Sequence, residues 1–152
     1  MKKMSEIWVA VKALIICNNR VLIIQRSNYA NLGEGEWDIP GGGMQFGETL
    51  LECLHREVKE ETGLTVSVDK LLYAMTALIN PARQIVGLTY LCHANSDKVT
   101  LSHEHTDYLW ATIEQLKSRL TPSALALYTE HSVFEALFTK RIVPIQRRTP
   151  CN

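Results

Sequence analysis

The chain has no excess of charge of either sign, because 16 lysines and arginines balance 16 aspartates and glutamates over 152 residues. A balanced chain gives no global electrostatic reason to bind duplex nucleic acid or an anionic membrane. No apolar run is long enough for a membrane span, so we expect none. The apolar run after Lys2 and Lys3 contains Lys12 and lacks a small-residue cleavage site, which argues against a signal peptide.

Cysteine is sparse and shows no pattern. Cys17, Cys53, Cys92 and Cys151 are widely separated, and no two of them form a Cys-x-x-Cys pair. Three of the four lie inside apolar or helical runs. We therefore predict a reduced environment and a cytoplasmic location.

The sequence also lacks internal repeats, low-complexity tracts and a second domain. Its length suits one domain that buries most of its apolar surface, so we predict a single domain over residues 1–140. Residues 141–152 form a basic tail that includes Arg141, Arg147 and Arg148. Such a tail could hold anionic partners, but a frayed terminus is the simpler explanation.

The structured part begins with two β-rich apolar runs. Trp8–Cys17 and Val21–Gln25 are joined by Asn18-Asn19, residues that accept positive φ in a tight hairpin turn. Both runs are too apolar to face water on one side, so we place the hairpin in a central sheet. Further strands are predicted at 65–79, 84–94 and 108–113, and helices at 114–120 and from 122 to about 138. This order predicts an α/β (α+β) fold with a mixed sheet between helices.

One more helix is predicted from Thr49 to Thr62, where nothing breaks a helical pattern. Gly47 and Gly63 lie just outside it, where a loop and a C-terminal cap tolerate glycine. At 100° per residue, an apolar arc faces the core and an acidic arc lies beside it. The apolar arc contains Leu50, Leu51, Leu54 and Val58, and the acidic arc contains Glu57, Glu60 and Glu61.

The acidic arc is unfavourable for the helix itself. Glu57 lies three residues before Glu60 and four before Glu61, and each like-charge pair costs roughly 0.2–0.5 kcal/mol. A hard divalent cation reverses the sign of this effect, because Mg²⁺ binds carboxylate oxygens and commonly shares its coordination shell with substrate phosphates. A solvated acidic helix face is the alternative interpretation.

The residues around these glutamates favour the metal site. Five residues separate Gly42 from Glu48, seven separate Glu48 from Arg56, and the chain continues through Glu57-Val58-x-Glu60-Glu61-x-Gly63-Leu64. This spacing reproduces all nine fixed positions of the 23-residue Nudix box. The chain therefore resembles the MutT-like Nudix hydrolases, and the resemblance implies an α/β/α sandwich around a mixed central β-sheet.

The resemblance also implies a metal site. In Nudix enzymes Mg²⁺, for which Mn²⁺ can substitute, is bound by the box glutamates, and often by the carbonyl of the residue before the box, here Gly41. Arg56 matches the arginine that orients a neighbouring glutamate, and Glu48 matches the position that braces the loop. The box glutamates of this chain are Glu57, Glu60 and Glu61.

The resemblance leaves the general base open between a box glutamate, such as Glu57 or Glu60, and a glutamate on a later loop. Glu104 stands ahead of a Trp-containing strand, as in many MutT-like members. His103 and His105 flank it, but histidines at this spacing in a polar loop are more often solvated than metal ligands.

Substrate contacts are expected from Arg26, which resembles the family's arginine that meets substrate phosphate or base; a surface arginine is the alternative. Gly42 and Gly43 follow Pro40-Gly41 and let backbone approach a ligand closely, unless the glycine triplet is a plain turn. Tyr29 and Trp37 could stack on a nucleobase, although an aromatic residue beside a strand is more often part of the core.

The predicted function is Mg²⁺-dependent hydrolysis of a phosphoanhydride in a nucleoside diphosphate linked to another moiety. A nucleoside triphosphate giving monophosphate and pyrophosphate is the first choice, and ADP-ribose or a nucleotide sugar is the second. A non-catalytic nucleotide sensor is the alternative of another class, although the complete box argues against it. RNA binding lacks support, because the sequence has no dense basic and aromatic surface. We expect a small-molecule nucleotide partner and a monomer or homodimer.

Overall fold

The computed structural model describes residues 4–27 and 33–137. Tyr29, Cys151 and the predicted tail at 141–152 lie outside the described residues, so the predictions about them stay predictions. The elements are β1 Glu6–Cys17, β2 Arg20–Arg26, β3 Trp37–Asp38, β4 Gly41–Gly43, α1 Leu50–Thr62, β5 Val66–Asn80, β6 Arg83–Ala94, β7 His105–Ala111, α2 Ile113–Arg119, α3 Pro122–Glu130 and α4 Val133–Ala136.

The strands form one mixed sheet with β1 at its centre. Along one edge β1 is parallel to β6, and along the other it is antiparallel to β4 and to the start of β2. Strand β5 pairs with β6, and β3 and β7 pair with β2, in each case antiparallel. The mixed sheet predicted from the order of elements is confirmed.

Helices cover both faces of this sheet. Successive residues of a strand point to opposite faces, so Val11 and Ile15 of β1 pack with Leu54 of α1. Leu14, on the other face of β1, belongs to a second core with Tyr128 of α3 and residues of α2 and α4. The central strands are therefore apolar on both sides, and the fold is the three-layer sandwich expected from the resemblance.

Local sequence signals explain where two elements turn or end. Asn18 and Asn19 have φ of 49° and 59°, as predicted for the β1–β2 turn. Helix α1 begins after Thr49, whose side chain accepts from the Glu52 backbone N–H while the Glu52 carboxylate accepts from the Thr49 N–H. The helix ends at Gly63, which has φ of 71° and acts as the C-terminal cap.

Three predicted details differ from the structure. Leu51 does not face the core, because it is 43% exposed while Cys53 is fully buried; the buried arc of α1 is rotated toward the glutamates. The strand predicted to reach residue 113 ends at Ala111, because Thr112 caps α2. The helix predicted to reach about residue 138 ends at Glu130, and Ser132, with φ of 52°, separates it from α4.

Two findings bear on the predicted environment. Cys17, Cys53 and Cys92 are buried free thiols. Within residues 4–27 and 33–137, the helices are too short or too polar to cross a bilayer. The cytoplasmic location stays a prediction.

Two leucines of α1, Leu51 and Leu54, provide a matched test of the buried arc. Leu54 is 1% exposed, so Leu54→Ala should destabilise the protein by about 2–5 kcal/mol through lost burial and a residual cavity. Leu51→Ala should cost less than about 1 kcal/mol, because Leu51 is already 43% exposed in the folded protein. Urea unfolding followed by circular dichroism measures both. Equal losses would mean that the face of α1 has been assigned wrongly.

Candidate active site

A cleft of about 700 Å³ opens beside the glycine-rich strand β4. It is lined by residues of β1, β4 and α1 and by residues of β5, β6 and α3. Nine residues that the sequence assigned to metal binding, catalysis or substrate binding line it: Arg26, Gly41, Gly42, Gly43, Arg56, Glu57, Glu60, Glu61 and Glu104. The prediction that these residues form one site agrees with this geometry, while their roles stay predictions.

Strand β4 shows why glycine is needed at the cleft. The triplet is not a plain turn, because it pairs with β1 and places Gly41 opposite Lys12. A Cβ on Gly41, whose φ is 150°, would lie 2.1 Å from the Val11 carbonyl oxygen. A Cβ on Gly42 would lie 2.6 Å from the carboxyl carbon of Glu57. The absence of side chains therefore lets the α1 carboxylates pack directly against this strand.

Arg56 links the loop before α1 to the acidic arc. Its Nη2 donates to Glu48 Oε2 at 3.0 Å and to the Gly43 carbonyl at 3.1 Å. Its Nη1 donates to Glu57 Oε1 at 2.7 Å and to Glu60 Oε2 at 3.3 Å. The hydrogen bond from Arg56 lowers the pKa of Glu48 to about 2. Glu48 also accepts from the Gln45 N–H, which agrees with the bracing role implied by the resemblance.

Glu61 is the buried carboxylate of the cleft. Its side chain is 7% exposed, and its Oε2 accepts from the Gly41 N–H at 2.9 Å. Burial, and then the negative charges of Glu57 and Glu104, raise its pKa to about 7, although the Gly41 N–H and Lys12 act in the opposite direction. The surroundings of Glu61 therefore supply less positive charge than its ionised form requires.

The donors at this wall match a divalent cation in kind. Within the described part of the chain, no three His, Cys, Asp or Glu side chains are grouped closely enough to hold a metal ion. Glu57 and Glu60 are instead turned toward Arg56. Three carboxylates and the Gly41 carbonyl are nevertheless the hard oxygen ligands that Mg²⁺ prefers. Binding would require these side chains to turn from Arg56 toward the ion.

The loop before β7 closes another side of the cleft. Glu104 lines it, and the Glu104 carbonyl accepts from the Ser27 N–H at 2.9 Å, which ties this loop to the end of β2. His103 is exposed, as expected for a loop histidine. His105 differs, because it is half-buried in β7 and lines the cleft, and its Nδ1 is buried with no hydrogen-bond partner among the described residues. Burial, and then Arg26, lowers the pKa of His105.

Sequence reasoning missed a charged cluster on the cleft floor. Lys12 Nζ lies 2.6 Å from Asp38 Oδ2, and Arg26 Nη2 lies 3.1 Å from the same oxygen. Burial alone would raise the pKa of Asp38, but the ion pairs with Lys12 and Arg26 outweigh it and leave the pKa below its usual value. The sequence feature that could have indicated this cluster is Lys12, a charged residue inside an otherwise apolar central strand.

The far end of the cleft is apolar, and the sequence did not predict it. Met75, Ile85 and Gly87 form its floor on β5 and β6, and Leu127 and Tyr128 of α3 form its wall. Trp37 does not line the cleft. It packs against the second core, and the Arg119 guanidinium lies 4.7 Å from the centre of the Trp37 ring. The suggestion that Trp37 stacks on a nucleobase therefore does not fit this structure.

Comparisons with known proteins give one family. The model of the NUDIX domain matches residues 7–131. A MutT-like protein of Streptomyces ambofaciens is 33% identical over 103 residues, which cover 68% of this chain and 62% of that protein. The crystal structure of a MutT protein from Methanosarcina mazei Go1 superposes with a TM-score of 0.76 at 25% identity, over 86% of this chain and 96% of that one.

A shorter match has higher identity. An ADP-ribose pyrophosphatase of Methanocaldococcus jannaschii is 45% identical over 64 residues, which cover 42% of this chain and 37% of that protein. The matched regions thus span less than two thirds of the length of both curated relatives.

The buried carboxyl group predicts how the stability of the metal-free protein changes with pH. The pKa of Glu61 is about 7 in the folded protein against an ordinary value of 4.5, so the folded state holds this proton more tightly. Raising the pH from about 4.5 to about 7 should therefore remove roughly 2–3 kcal/mol of stability. Urea unfolding across this range in EDTA measures the slope.

Glu61→Gln should lose that slope and should be more stable than the wild type at pH 8, since glutamine keeps an oxygen for the Gly41 N–H. Glu60→Gln is the matched control, because its side chain is 59% exposed, and it should keep the wild-type slope. If Glu61→Gln also keeps that slope, another group carries the titration.

Proposed function

Since the chain belongs to the NUDIX domain family, we propose that it hydrolyses a phosphoanhydride bond in a nucleoside diphosphate derivative with the help of a divalent cation. The observation that carries the proposal is the arrangement of the cleft. Three glutamates of α1 and the Gly41 backbone lie at one wall, a cationic cluster lies on the floor, and an apolar surface lies at the far end.

The cation is assigned to Glu57, Glu60, Glu61 and the Gly41 carbonyl. When bound, Mg²⁺ would neutralise phosphate oxygens and lower the pKa of a coordinated water. Arg56, through its hydrogen bonds to Glu48 and the Gly43 carbonyl, would hold the loop before α1 against β4. Arg26 would contact phosphate, and the backbone of Gly42 and Gly43 would let it approach closely.

Glu104 is proposed as the general base. It lines the cleft from the loop before β7, and its carboxylate is not one of the groups that accept a hydrogen bond from Arg56. A box glutamate, Glu57 or Glu60, is the alternative general base. Of these two, Glu57 is the stronger candidate, because its carboxylate packs against Gly42.

A nucleoside triphosphate is the proposed substrate, converted to a monophosphate and pyrophosphate. Lys12 and Arg26 suit its high charge, and the apolar end around Met75 and Leu127 suits one planar base. ADP-ribose is the second candidate, because the relative from Methanocaldococcus jannaschii is an ADP-ribose pyrophosphatase.

The test is release of phosphate and pyrophosphate, with and without Mg²⁺, over nucleoside triphosphates, ADP-ribose, nucleotide sugars and dinucleoside polyphosphates. We expect metal-dependent pyrophosphate release from a triphosphate. Turnover confined to ADP-ribose would move the substrate to the second candidate. Tight binding without turnover in Mg²⁺ or Mn²⁺ would overturn the hydrolase proposal in favour of a sensor.

Glu104→Gln should slow hydrolysis by about 10²–10⁴-fold if Glu104 takes the proton of the attacking water. Steady-state kinetics over a range of pH measures this. His103→Gln is the control, because this neighbouring side chain is exposed and does not line the cleft, and it should keep the wild-type rate. An unchanged rate in Glu104→Gln would place the base among the box glutamates.

Gly42→Ala should weaken Mn²⁺ binding roughly tenfold or more, because the added methyl group displaces the Glu57 carboxylate. The fold should survive, since the displaced atoms are the end of a flexible side chain. Isothermal titration with Mn²⁺ measures the affinity. Gly43→Ala is the matched control for metal binding, because its Cβ would meet no described atom within 4 Å. Equal Mn²⁺ affinity in both variants would contradict the assignment of Glu57.

A further inference from the structure

Lys12 occupies an unusual position for a charged residue. It lies in the central strand β1, between Val11 and Ala13, which are fully buried, and its own side chain is 24% exposed. The register of β1 and β4 places it directly opposite Gly41. Lys12 lines the cleft, so a lysine from the middle of the sheet reaches the site beside Gly41, the residue before the box.

Two of the three N–H donors of the Lys12 ammonium group have acceptors among the described residues. Lys12 Nζ donates to Asp38 Oδ2 at 2.6 Å and to the Ile39 carbonyl at 3.3 Å. An ammonium group has three N–H donors, so the geometry leaves one for a ligand in the cleft. The two protein acceptors lie on the segment that leads into β4, and they fix the direction of the side chain.

Asp38 holds two cations with one carboxylate. Its Oδ2 accepts from both Lys12 and Arg26, while its Oδ1 accepts from the Ile39 N–H at 2.8 Å. The cluster of Lys12, Asp38 and Arg26 therefore carries a net charge of one positive unit on formal charges. The α1 glutamates Glu57, Glu60 and Glu61 supply negative charge to the cleft, so this cluster is where the anionic part of a ligand would be attracted.

We propose that Lys12 is a second phosphate-binding residue, which acts with Arg26 and is positioned by Asp38. This deepens the proposed function, on which it rests, by assigning the polyphosphate to the floor of the cleft between the carboxylate wall and the apolar end. Asp38 acts through the two cations and has no assigned contact with the substrate.

The probe is inorganic pyrophosphate, titrated calorimetrically into the whole chain with and without Mg²⁺. Lys12→Met keeps the length of the side chain and removes its charge, so it should weaken pyrophosphate binding roughly tenfold. Lys12→Arg should retain most of the affinity. Lys70→Met is the control for loss of one positive charge, because Lys70 is exposed on β5 and does not line the cleft, and it should bind as the wild type does.

A double variant separates ligand binding from the structural ion pair. Lys12→Met leaves Asp38 with fewer partners, and this alone could disturb the site. In Lys12→Met/Asp38→Asn both charges of the pair are gone, and binding should stay weak. Recovery of wild-type affinity in the double variant, or undiminished affinity in Lys12→Met, would overturn the proposal.

This result is independent of catalysis, because pyrophosphate binding requires no turnover. A wild-type protein that binds pyrophosphate through Lys12 but hydrolyses no nucleotide would contradict the proposed function and leave the binding role of Lys12 standing. Nucleotide hydrolysis that is unaffected in Lys12→Met, with pyrophosphate affinity also unchanged, would contradict the role of Lys12 and leave the proposed function standing.

Discussion

One guanidinium group holds the acidic side of the cleft together. Arg56 donates to Glu48, Glu57 and Glu60 and to the Gly43 carbonyl, so one side chain joins the loop, the helix and the glycine-rich strand. Without it the carboxylates of α1 would repel one another at helical spacing. Arg56 cannot also neutralise Glu61, which stays buried with a raised pKa. The charges of the described side chains at this site are therefore incompletely balanced, and the proposed divalent cation would balance them.

The sandwich makes this arrangement rigid. Strand β1 is apolar on both faces, so α1 and α3 are fixed on opposite sides of the same strand, and β4 is fixed beside it by its pairing with β1. The cleft lies where these elements meet. Because Gly41 and Gly42 have no side chains, carboxylates from one layer approach the backbone of another within van der Waals contact. A methyl group on Gly41 would push β4 away from β1, and one on Gly42 would displace the Glu57 carboxylate.

Local and motif signals predicted most of this fold and one wall of the site. The paired asparagines, the capping glycine of α1 and the two-sided apolar strands each follow from short-range physical chemistry. The box supplied six of the nine cleft residues, and Arg26, Gly41 and Glu104 came from the wider family resemblance. The features that the sequence did not predict depend on tertiary packing. Burial of Cys53 instead of Leu51 depends on how α1 is rotated against the sheet. Lys12 and Asp38 are 26 residues apart, and they meet only because β2 pairs with both β1 and β3 while β4 pairs with β1. The apolar end arises from strand residues that look like ordinary core, so sequence alone gives no reason to place them beside a charged site.

The position of the cation is the most direct test of this account, and anomalous diffraction from crystals soaked in Mn²⁺ would locate it. The account predicts a peak against the carboxylates of Glu57, Glu60 and Glu61 and the Gly41 carbonyl, with the Glu57 and Glu60 side chains turned away from Arg56. A peak at Glu104 and His105 with Glu57 still bound to Arg56, or no ordered ion at saturating Mn²⁺, would contradict it.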